Sequence, residues 1–159
     1  NRNPIIGQYD INSEGSSDMY SKGANLLHTI RQLAKDDEVW RQTLRGLNKE
    51  FYHSTVTTAE IEEYISKSIG MDLSKVFDQY LRDVRVPVFE YEITNGQLKY
   101  RWNNVIDGFE MPLEVIIDGK NTQLYPTLEF KQVPIKKLYI NVDDDYYIFK
   151  KDLKMIIDS

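Results

Sequence analysis

The sequence predicts a mixed α + β chain, in which an antiparallel α-helical array is followed by a small antiparallel β-sandwich. Three observations support this fold class. Apolar residues recur with a helical period up to about Arg85, and from Pro87 onward they recur at close to every second position. A proline at that boundary cannot continue a helix, and Asn95-Gly96 is the preferred turn of a β-hairpin. We therefore expect two domains, residues 1–86 and residues 87–159.

Two helices are predicted in the first fifty residues. The first follows a polar loop at 12–18, where Ser17 or Asp18 can cap it. The second opens at Asp36-Asp37, whose acids suit the positive end of a helix dipole. At helical spacing, the buried stripe of the first helix would be Leu26, Leu27, Ile30 and Leu33. The stripe of the second would be Trp40, Leu44, Leu47 and Phe51.

Two further helices are predicted before Pro87. Thr57 and Glu60 have the spacing of a capping box, in which each side chain satisfies a free backbone amide of the first turn. Gly70 supplies the end of that third helix, and Asp72 can cap the fourth. Their apolar faces would be Ile61, Tyr64, Ile65 and Ile69, and then Leu73, Val76, Phe77, Tyr80 and Leu81. Four helices joined by short turns make an antiparallel array.

The second half begins with a hairpin whose register the sequence specifies. A two-residue turn at Asn95-Gly96 pairs residues whose numbers sum to 191. One face would then carry Phe89 with Trp102, Tyr91 with Tyr100 and Ile93 with Leu98. The other face would carry Glu90 with Arg101 and Glu92 with Lys99, so that opposite charges lie across from each other. A slip of one residue would mix the two faces, which fixes the register.

Further strands are predicted at 113–117, 127–132, 137–142 and 146–149, with turns at Asp118-Gly119 and at Asp143-Asp144-Asp145. Short antiparallel strands at this density favour an immunoglobulin-like sandwich. The three consecutive aspartates also suggest calcium. However, no glycine and distal glutamate follow them at EF-hand spacing, so a hairpin turn is the better interpretation.

Composition excludes several function classes. The formal net charge is −5 and the basic residues are scattered, which argues against a nucleic-acid partner. No apolar run approaches the length of a membrane span. The chain has no cysteine, which rules out disulfides without fixing the compartment, although a bacterial envelope location is one hypothesis.

A stretch near the start of the first helix carries the most specific signal. Tyr20-Ser21-Lys22-Gly23-Ala24 is followed by Leu26-Leu27 and Ile30-Arg31. This pattern resembles the tyrosine helix of the M1 family of zinc peptidases, the gluzincins related to aminopeptidase N and leukotriene A4 hydrolase. The order of the later elements also resembles that family, in which a β-sandwich follows the helical tail of the catalytic domain. One departure is Gln79-Tyr80-Leu81, where many members have a tryptophan.

The resemblance implies an enzyme that hydrolyses N-terminal residues from peptides. Tyr20 would be its catalytic residue, donating a hydrogen bond to the oxyanion that forms when zinc-bound water attacks a peptide carbonyl. Zinc would be bound upstream, because the family's His-Glu-x-x-His motif precedes the tyrosine. We therefore expect this chain to be the C-terminal part of a larger peptidase, inactive without its N-terminal catalytic half. The residues that bind the substrate are unknown.

The residues of the chain itself predict no zinc site. Zinc peptidases of this kind place two histidines one helical turn apart. Here the only histidines are His28 and His53, and neither is followed by glutamate. We expect a hydrogen-bonded interfacial histidine at position 28 and an exposed one at position 53.

Other residues near Tyr20 have structural interpretations. Lys22 could reach a carboxylate outside this chain, but a solvated helix position is the simpler expectation. Gly23 costs about 1 kcal/mol relative to alanine within a helix, for which a close backbone crossing would be the reason. The hairpin aromatics could bind sugars or peptides, although the charged opposite face favours a sandwich core.

A second hypothesis is a non-catalytic scaffold, or a module that binds peptides or proteins. A His-Glu-x-x-His motif encoded upstream of Asn1, with a later glutamate, would discriminate the two.

Overall fold

The computed structural model describes residues 3–9 and 15–156. Its helical half contains four α-helices: α1 (Asp18–Ala34), α2 (Asp37–Glu50), α3 (Thr58–Ile69) and α4 (Ser74–Phe77). A π-helical segment, Asp78–Arg82, continues α4 without a break, and an extended residue, Asp83, ends it. Within the described ranges, no helix is both long and apolar enough to cross a membrane.

The start of α1 differs from the expectation. Ser17 occupies the N-cap position, but its side chain makes no capping hydrogen bond. Part of the polar loop before it, residues 12–14, lies outside the described residues. Leu27 was predicted on the buried stripe and is exposed, because the buried face is rotated toward Lys22 and Thr29. The residues that α1 buries are Lys22, Leu26, Thr29, Ile30 and Leu33.

Helix α2 opens where predicted, and the predicted capping box and glycine stop of α3 are present. The Asp36 carboxylate accepts hydrogen bonds from the amides of Glu38 and Val39 at the start of α2. At α3 both halves of the Thr57–Glu60 capping box are formed, and Gly70 ends the helix in a left-handed conformation. The predicted α2 stripe is wrong at Leu44, which is exposed, whereas Thr43 is buried in its place.

The fourth helix begins later than predicted. Leu73 occupies the N-cap position. Asp72 lies one residue before it, and its carboxylate accepts a hydrogen bond from the Ser74 amide at 2.9 Å. Its apolar face is nevertheless buried as expected at Leu73, Val76, Phe77 and Tyr80.

The second half forms two sheets. The strands are β1 (Val88–Thr94), β2 (Gln97–Asn103), β3 (Leu113–Ile117), β4 (Lys120–Leu124), β5 (Lys131–Pro134), β6 (Asn141–Val142) and β7 (Phe149–Asp152). One sheet has the order β5-β2-β1-β7 and the other β4-β3-β6. A short 3₁₀-helix, Leu153–Ile156, follows β7. The mixed α + β class is confirmed, with the difference that β7 pairs with β1 in parallel.

The hairpin register is confirmed in full. Each pair from Val88 with Asn103 to Thr94 with Gln97 sums to 191. Asn95 and Gly96 both have positive φ, at 53° and 73°, as a type I′ turn requires. On the inner face, the ring of Trp102 contacts Phe89 edge-on, and its indole N–H donates to the Met111 carbonyl at 3.0 Å.

Three of the other predicted strands are misplaced. Residues 127–130 form a connection that meets β2 in one backbone hydrogen bond, from the Trp102 amide to the Thr127 carbonyl at 2.8 Å, and the regular ladder with β2 spans Lys131–Pro134. Of 137–142, only Asn141 and Val142 form a strand, and 146–149 contributes only Phe149. The β4 strand was missed, because Asn121-Thr122-Gln123 is too polar to indicate one. The predicted turn at Asp118-Gly119 is present between β3 and β4, and both residues have positive φ.

Tyr147 shows why the last strand starts late. Its backbone amide donates to the hydroxyl oxygen of Thr29 at 3.0 Å, and its carbonyl accepts from the Tyr80 hydroxyl at 2.7 Å. Side chains of the helical half therefore occupy the groups that a sheet ladder would use. A single cluster of buried apolar side chains also continues from the helices into both sheets.

Candidate functional site

Tyr20 lies in the first turn of α1 with its side chain 76% exposed. It projects from the side of the helix opposite to the buried stripe. Ala24 and Leu27 follow at helical spacing and are also exposed, so this side of α1 presents an aromatic and apolar surface to solvent. A hydroxyl in this position is free to reach a group that approaches the start of the helix.

Among the described residues, Ser16 contacts the beginning of α1. The Ser16 hydroxyl oxygen accepts from the Asp18 amide at 3.3 Å, and the Ser16 carbonyl accepts from the Met19 amide at 3.2 Å. Ser17 adds no side-chain cap. A helix start without a side-chain cap is less well fixed than one with it, typically by about 1 kcal/mol.

Lys22 corrects a sequence-based expectation, because it is buried rather than solvated. Its side chain is 5% exposed, and its ammonium donates to the backbone carbonyl of Asp83 at 2.6 Å. Burial lowers the pKa of Lys22, whereas the charges of Asp83 and Asp18 act in the opposite direction. The first turns of α1 are therefore joined to the residue that ends the π-helical segment.

Asp83 is itself held by Arg85. The guanidinium of Arg85 donates to both carboxylate oxygens of Asp83 at 2.9 Å, and the Arg85 backbone amide donates to one of them at 2.8 Å. These hydrogen bonds lower the pKa of Asp83. The same guanidinium donates to the Val105 carbonyl at 3.0 Å. The contact made by Lys22 is thereby connected to the loop that follows β2.

The close backbone crossing predicted at Gly23 is wrong. A Cβ added to Gly23 would meet nothing within 4 Å in the described structure, so no backbone crosses there. At Gly46 of α2, in contrast, a Cβ would overlap the hydroxyl of Tyr64 and lie 3.1 Å from its ring carbon Cζ. The close approach that requires a glycine is therefore the crossing of α2 with α3.

Neither histidine is placed as a metal ligand. His28 is half-buried, and its Nε2 lies 3.2 Å from a carboxylate oxygen of Asp145, as expected for an interfacial histidine. His53 is exposed and contacts the ring of Tyr52 edge-on, with the ring centres 4.1 Å apart. Within residues 3–9 and 15–156, no group of three potential ligands could hold a metal ion. The residues described here do not fit the zinc that the resemblance implies.

The three aspartates form a turn, but the predicted hairpin is wrong, because β6 pairs with β3 and β7 pairs with β1 in the other sheet. The Asp143 carboxylate accepts from the Asp145 amide at 2.9 Å, and Asp144 is paired with Lys150. The Lys150 ammonium also donates to the Val142 carbonyl at 2.7 Å. These contacts close the connection between β6 and β7.

A buried glutamine was not identified from the sequence. The Gln79 side chain is fully buried; its amide group donates to the Arg85 carbonyl at 2.9 Å, and its oxygen accepts from the Ile106 amide at 2.7 Å. It therefore joins the π-helical segment to the sandwich. A lone glutamine on an otherwise apolar face was the only available signal.

Glu90 lies on the predicted charged face of the hairpin, but it is 2% exposed. Its carboxylate accepts from Arg101 and Asn103 at 2.9 Å each and from Lys151 at 3.1 Å. Burial alone would raise the pKa of Glu90, but these hydrogen bonds together lower it. The predicted charged face is therefore covered at Glu90, because β7 places Lys151 over it.

Comparison with known proteins relates part of the chain to an aminopeptidase. The chain matches no protein-family model. A stretch of 104 residues, 65% of the chain, is 28% identical to Aminopeptidase 2 of Candida albicans. The fold is similar to that of Legionella pneumophila aminopeptidase A, solved in complex with aspartic acid, with a TM-score of 0.55, 14% identity and 86% of this chain covered. The chain spans 11% of the first protein and 18% of the second.

Proposed function

We propose that the chain is the C-terminal part of an M1-type zinc aminopeptidase, in which Tyr20 stabilises the oxyanion of the tetrahedral intermediate. The observation that carries this proposal is the exposed hydroxyl of Tyr20 at the start of α1, within the Tyr-x-Lys-Gly sequence. The distant similarity to an aminopeptidase supports a peptidase-related function. Zinc and its ligands would come from a part of the polypeptide outside these residues.

The chemical role of Tyr20 follows from what a phenol can donate. A phenolic hydroxyl can donate one hydrogen bond. A donor placed where negative charge develops stabilises the transition state more than the substrate. Because the side chain is 76% exposed, a peptide carbonyl can reach the hydroxyl without displacing any part of the helical array.

The remainder of the chain would support this helix. In the proposal, residues 1–86 form one wall of the substrate cleft and residues 87–159 brace it. Three hydrogen bonds tie the helices to the sandwich. The Tyr147 amide donates to the Thr29 hydroxyl oxygen, the Tyr80 hydroxyl donates to the Tyr147 carbonyl, and the Ile106 amide donates to the Gln79 side-chain oxygen. Such contacts keep the wall in one orientation, which catalysis by a positioned donor requires.

The experiment is Tyr20→Phe in the full-length polypeptide, which removes the hydroxyl and retains the ring. We expect kcat for hydrolysis of an aminoacyl p-nitroanilide to fall on the order of a hundredfold, the usual loss for one oxyanion donor. KM should change far less, because the hydrogen bond forms chiefly in the transition state. The matched control is Tyr52→Phe, which removes the hydroxyl of another exposed tyrosine, 74% accessible and located in the loop after α2.

Turnover equal to wild type in Tyr20→Phe would refute the catalytic role. If the full-length polypeptide hydrolyses no aminoacyl substrate and binds no stoichiometric zinc, the scaffold or binding-module hypothesis replaces the enzyme.

A further inference from the structure

Lys22 is a buried cation whose position the proposed reaction does not explain. Burying an ammonium is costly, and an apolar residue of similar volume at such a site is often neutral or stabilising. Here the charged end reaches a backbone carbonyl, that of Asp83, at 2.6 Å. A buried lysine used in this way fixes the distance between two elements rather than adding much stability.

The elements that it joins include the turn that carries Tyr20. In an α-helix each backbone amide donates to the carbonyl four residues earlier. In α1 the amides of Ser21 and Lys22 are therefore the first that have a partner within the helix. Ser17 contributes no side-chain cap to this turn. Among the described residues, Lys22 ties the first closed turn of α1 to Asp83 at the end of the π-helical segment, and Tyr20 lies within that turn.

The other end of this contact is rigid. Asp83 is held through both carboxylate oxygens and one further hydrogen bond by Arg85, which also donates to the Val105 carbonyl. Gln79 donates to the Arg85 carbonyl from its buried position. Contacts with both halves of the chain thus fix the position of the Asp83 carbonyl. A hydrogen bond to this carbonyl can therefore fix the position of the start of α1.

We propose that Lys22 is a positioning residue, which sets the location of the Tyr20 hydroxyl by tying the first turn of α1 to Asp83. This inference rests on the proposed function of Tyr20. A displacement of about 1 Å in a catalytic group can cost up to a hundredfold in rate. The loss of one tether from a turn that retains its hydrogen bonds to Ser16 should cost less, on the order of tenfold.

The test is a double-mutant cycle in the full-length polypeptide, with Tyr20→Phe and Lys22→Met. Methionine keeps an apolar chain of similar length and removes the ammonium. We expect Lys22→Met alone to lower kcat on the order of tenfold, with KM within about twofold of wild type. In the Tyr20→Phe background, Lys22→Met should cause no further loss, because its effect acts through the missing hydroxyl. Losses that multiply in the double variant would overturn the proposal.

Two further variants separate positioning from general damage. Lys67→Met is the matched control, since it removes a lysine that is 74% exposed on α3 and paired with Glu63, and it should leave kcat unchanged. Arg85→Met removes the guanidinium that binds the Asp83 carboxylate, at a half-exposed position. This variant replaces Lys22→Met in the test if Lys22→Met does not fold. It should also lower kcat, and again only when the Tyr20 hydroxyl is present.

Amide hydrogen exchange makes the result independent of catalysis. Lys22→Met should speed the exchange of the amides of residues 21–25 at least tenfold relative to those in the middle of α1. If Tyr20→Phe turns over like wild type, the proposed function fails, and this exchange alone decides whether Lys22 anchors the turn. Exchange that stays at the wild-type rate at 21–25 would overturn the anchoring.

Discussion

Glu90 offers the sharpest test of the packing described here. It is a carboxylate on the outer face of β1 that three donors cover: Arg101 and Asn103 from β2 and Lys151 from β7. The perturbation is Glu90→Gln, which keeps the size of the side chain and removes its charge. In glutamine an NH₂ group, which only donates hydrogen bonds, replaces one of the two carboxylate oxygens. It would face the donors of Arg101, Asn103 or Lys151, so at least one of the three hydrogen bonds is lost.

The expected cost is about 2 kcal/mol of unfolding free energy. A hydrogen bond to a charged group contributes roughly 1.5–3 kcal/mol, and breaking a fully buried ion pair costs roughly 3–5 kcal/mol. The lower part of that span applies, because the Arg101 and Lys151 side chains are 33% and 45% exposed and can turn to water. For a domain of this size, 2 kcal/mol corresponds to a decrease in Tm of roughly 4–8 °C.

The assay is urea unfolding followed by tryptophan fluorescence, with the slope m required to stay constant. The pH dependence gives an independent check. Hydrogen bonds lower the folded pKa of Glu90 below its usual value of 4.5. The stabilisation is therefore complete above about pH 4.5 and is lost as the pH falls through the folded pKa. The difference between wild type and Glu90→Gln should be constant near pH 7 and shrink in acid.

Glu92→Gln is the matched control on the same strand and the same face. Glu92 pairs with Lys99 at 3.5 Å, and both side chains are more exposed than Glu90. An exposed pair of this kind contributes about 0.2–1 kcal/mol. If Glu90→Gln costs no more than Glu92→Gln, or if its cost does not decrease in acid, the inference that β7 closes over this carboxylate is refuted.

Two other outcomes are expected. Gly46→Ala should lower the free energy of unfolding by about 1 kcal/mol, because displacing Tyr64 costs more than the gain in helix propensity. Gly23→Ala has open space around it and should raise the free energy of unfolding by a similar amount in the same urea titration. Equal effects of the two variants would contradict the close approach of α2 and α3 at Gly46. The 159-residue chain alone should bind no zinc tightly in equilibrium dialysis with metal analysis. If it binds one zinc ion per chain, and if substitution of His28 or His53 abolishes that binding, the metal site does not lie outside these residues.

The sequence by itself determined the features whose causes lie within a few residues. The hairpin register follows from Asn95-Gly96, which accepts positive φ, and from faces that a one-residue slip would mix. The capping box at Thr57 and Glu60 and the stop at Gly70 likewise depend on local geometry. The change of hydrophobic period near Pro87 was enough to predict the mixed α + β class.

The candidate site could be predicted only as far as the local pattern around Tyr20. The sequence placed that residue in the first turn of a helix, where the structure has it. It could not show that Lys22 is buried, because the partner is the carbonyl of Asp83, sixty-one residues away. Nothing in the chemistry of a lysine beside a glycine distinguishes a tether from a solvated side chain. The catalytic role of Tyr20 remains a prediction.

Tertiary structure alone decided the contacts between distant segments. The backbone of Tyr147 is bound by Thr29 and Tyr80 instead of a strand, so β7 begins at Phe149 and runs parallel to β1. That placement carries Lys151 over Glu90 and buries a carboxylate that alternation along β1 placed on the charged face. Local patterns fix which side of a strand or helix a residue occupies. Which element covers that side depends on the path of the whole chain, and burial, charge and hydrogen bonding follow from that path.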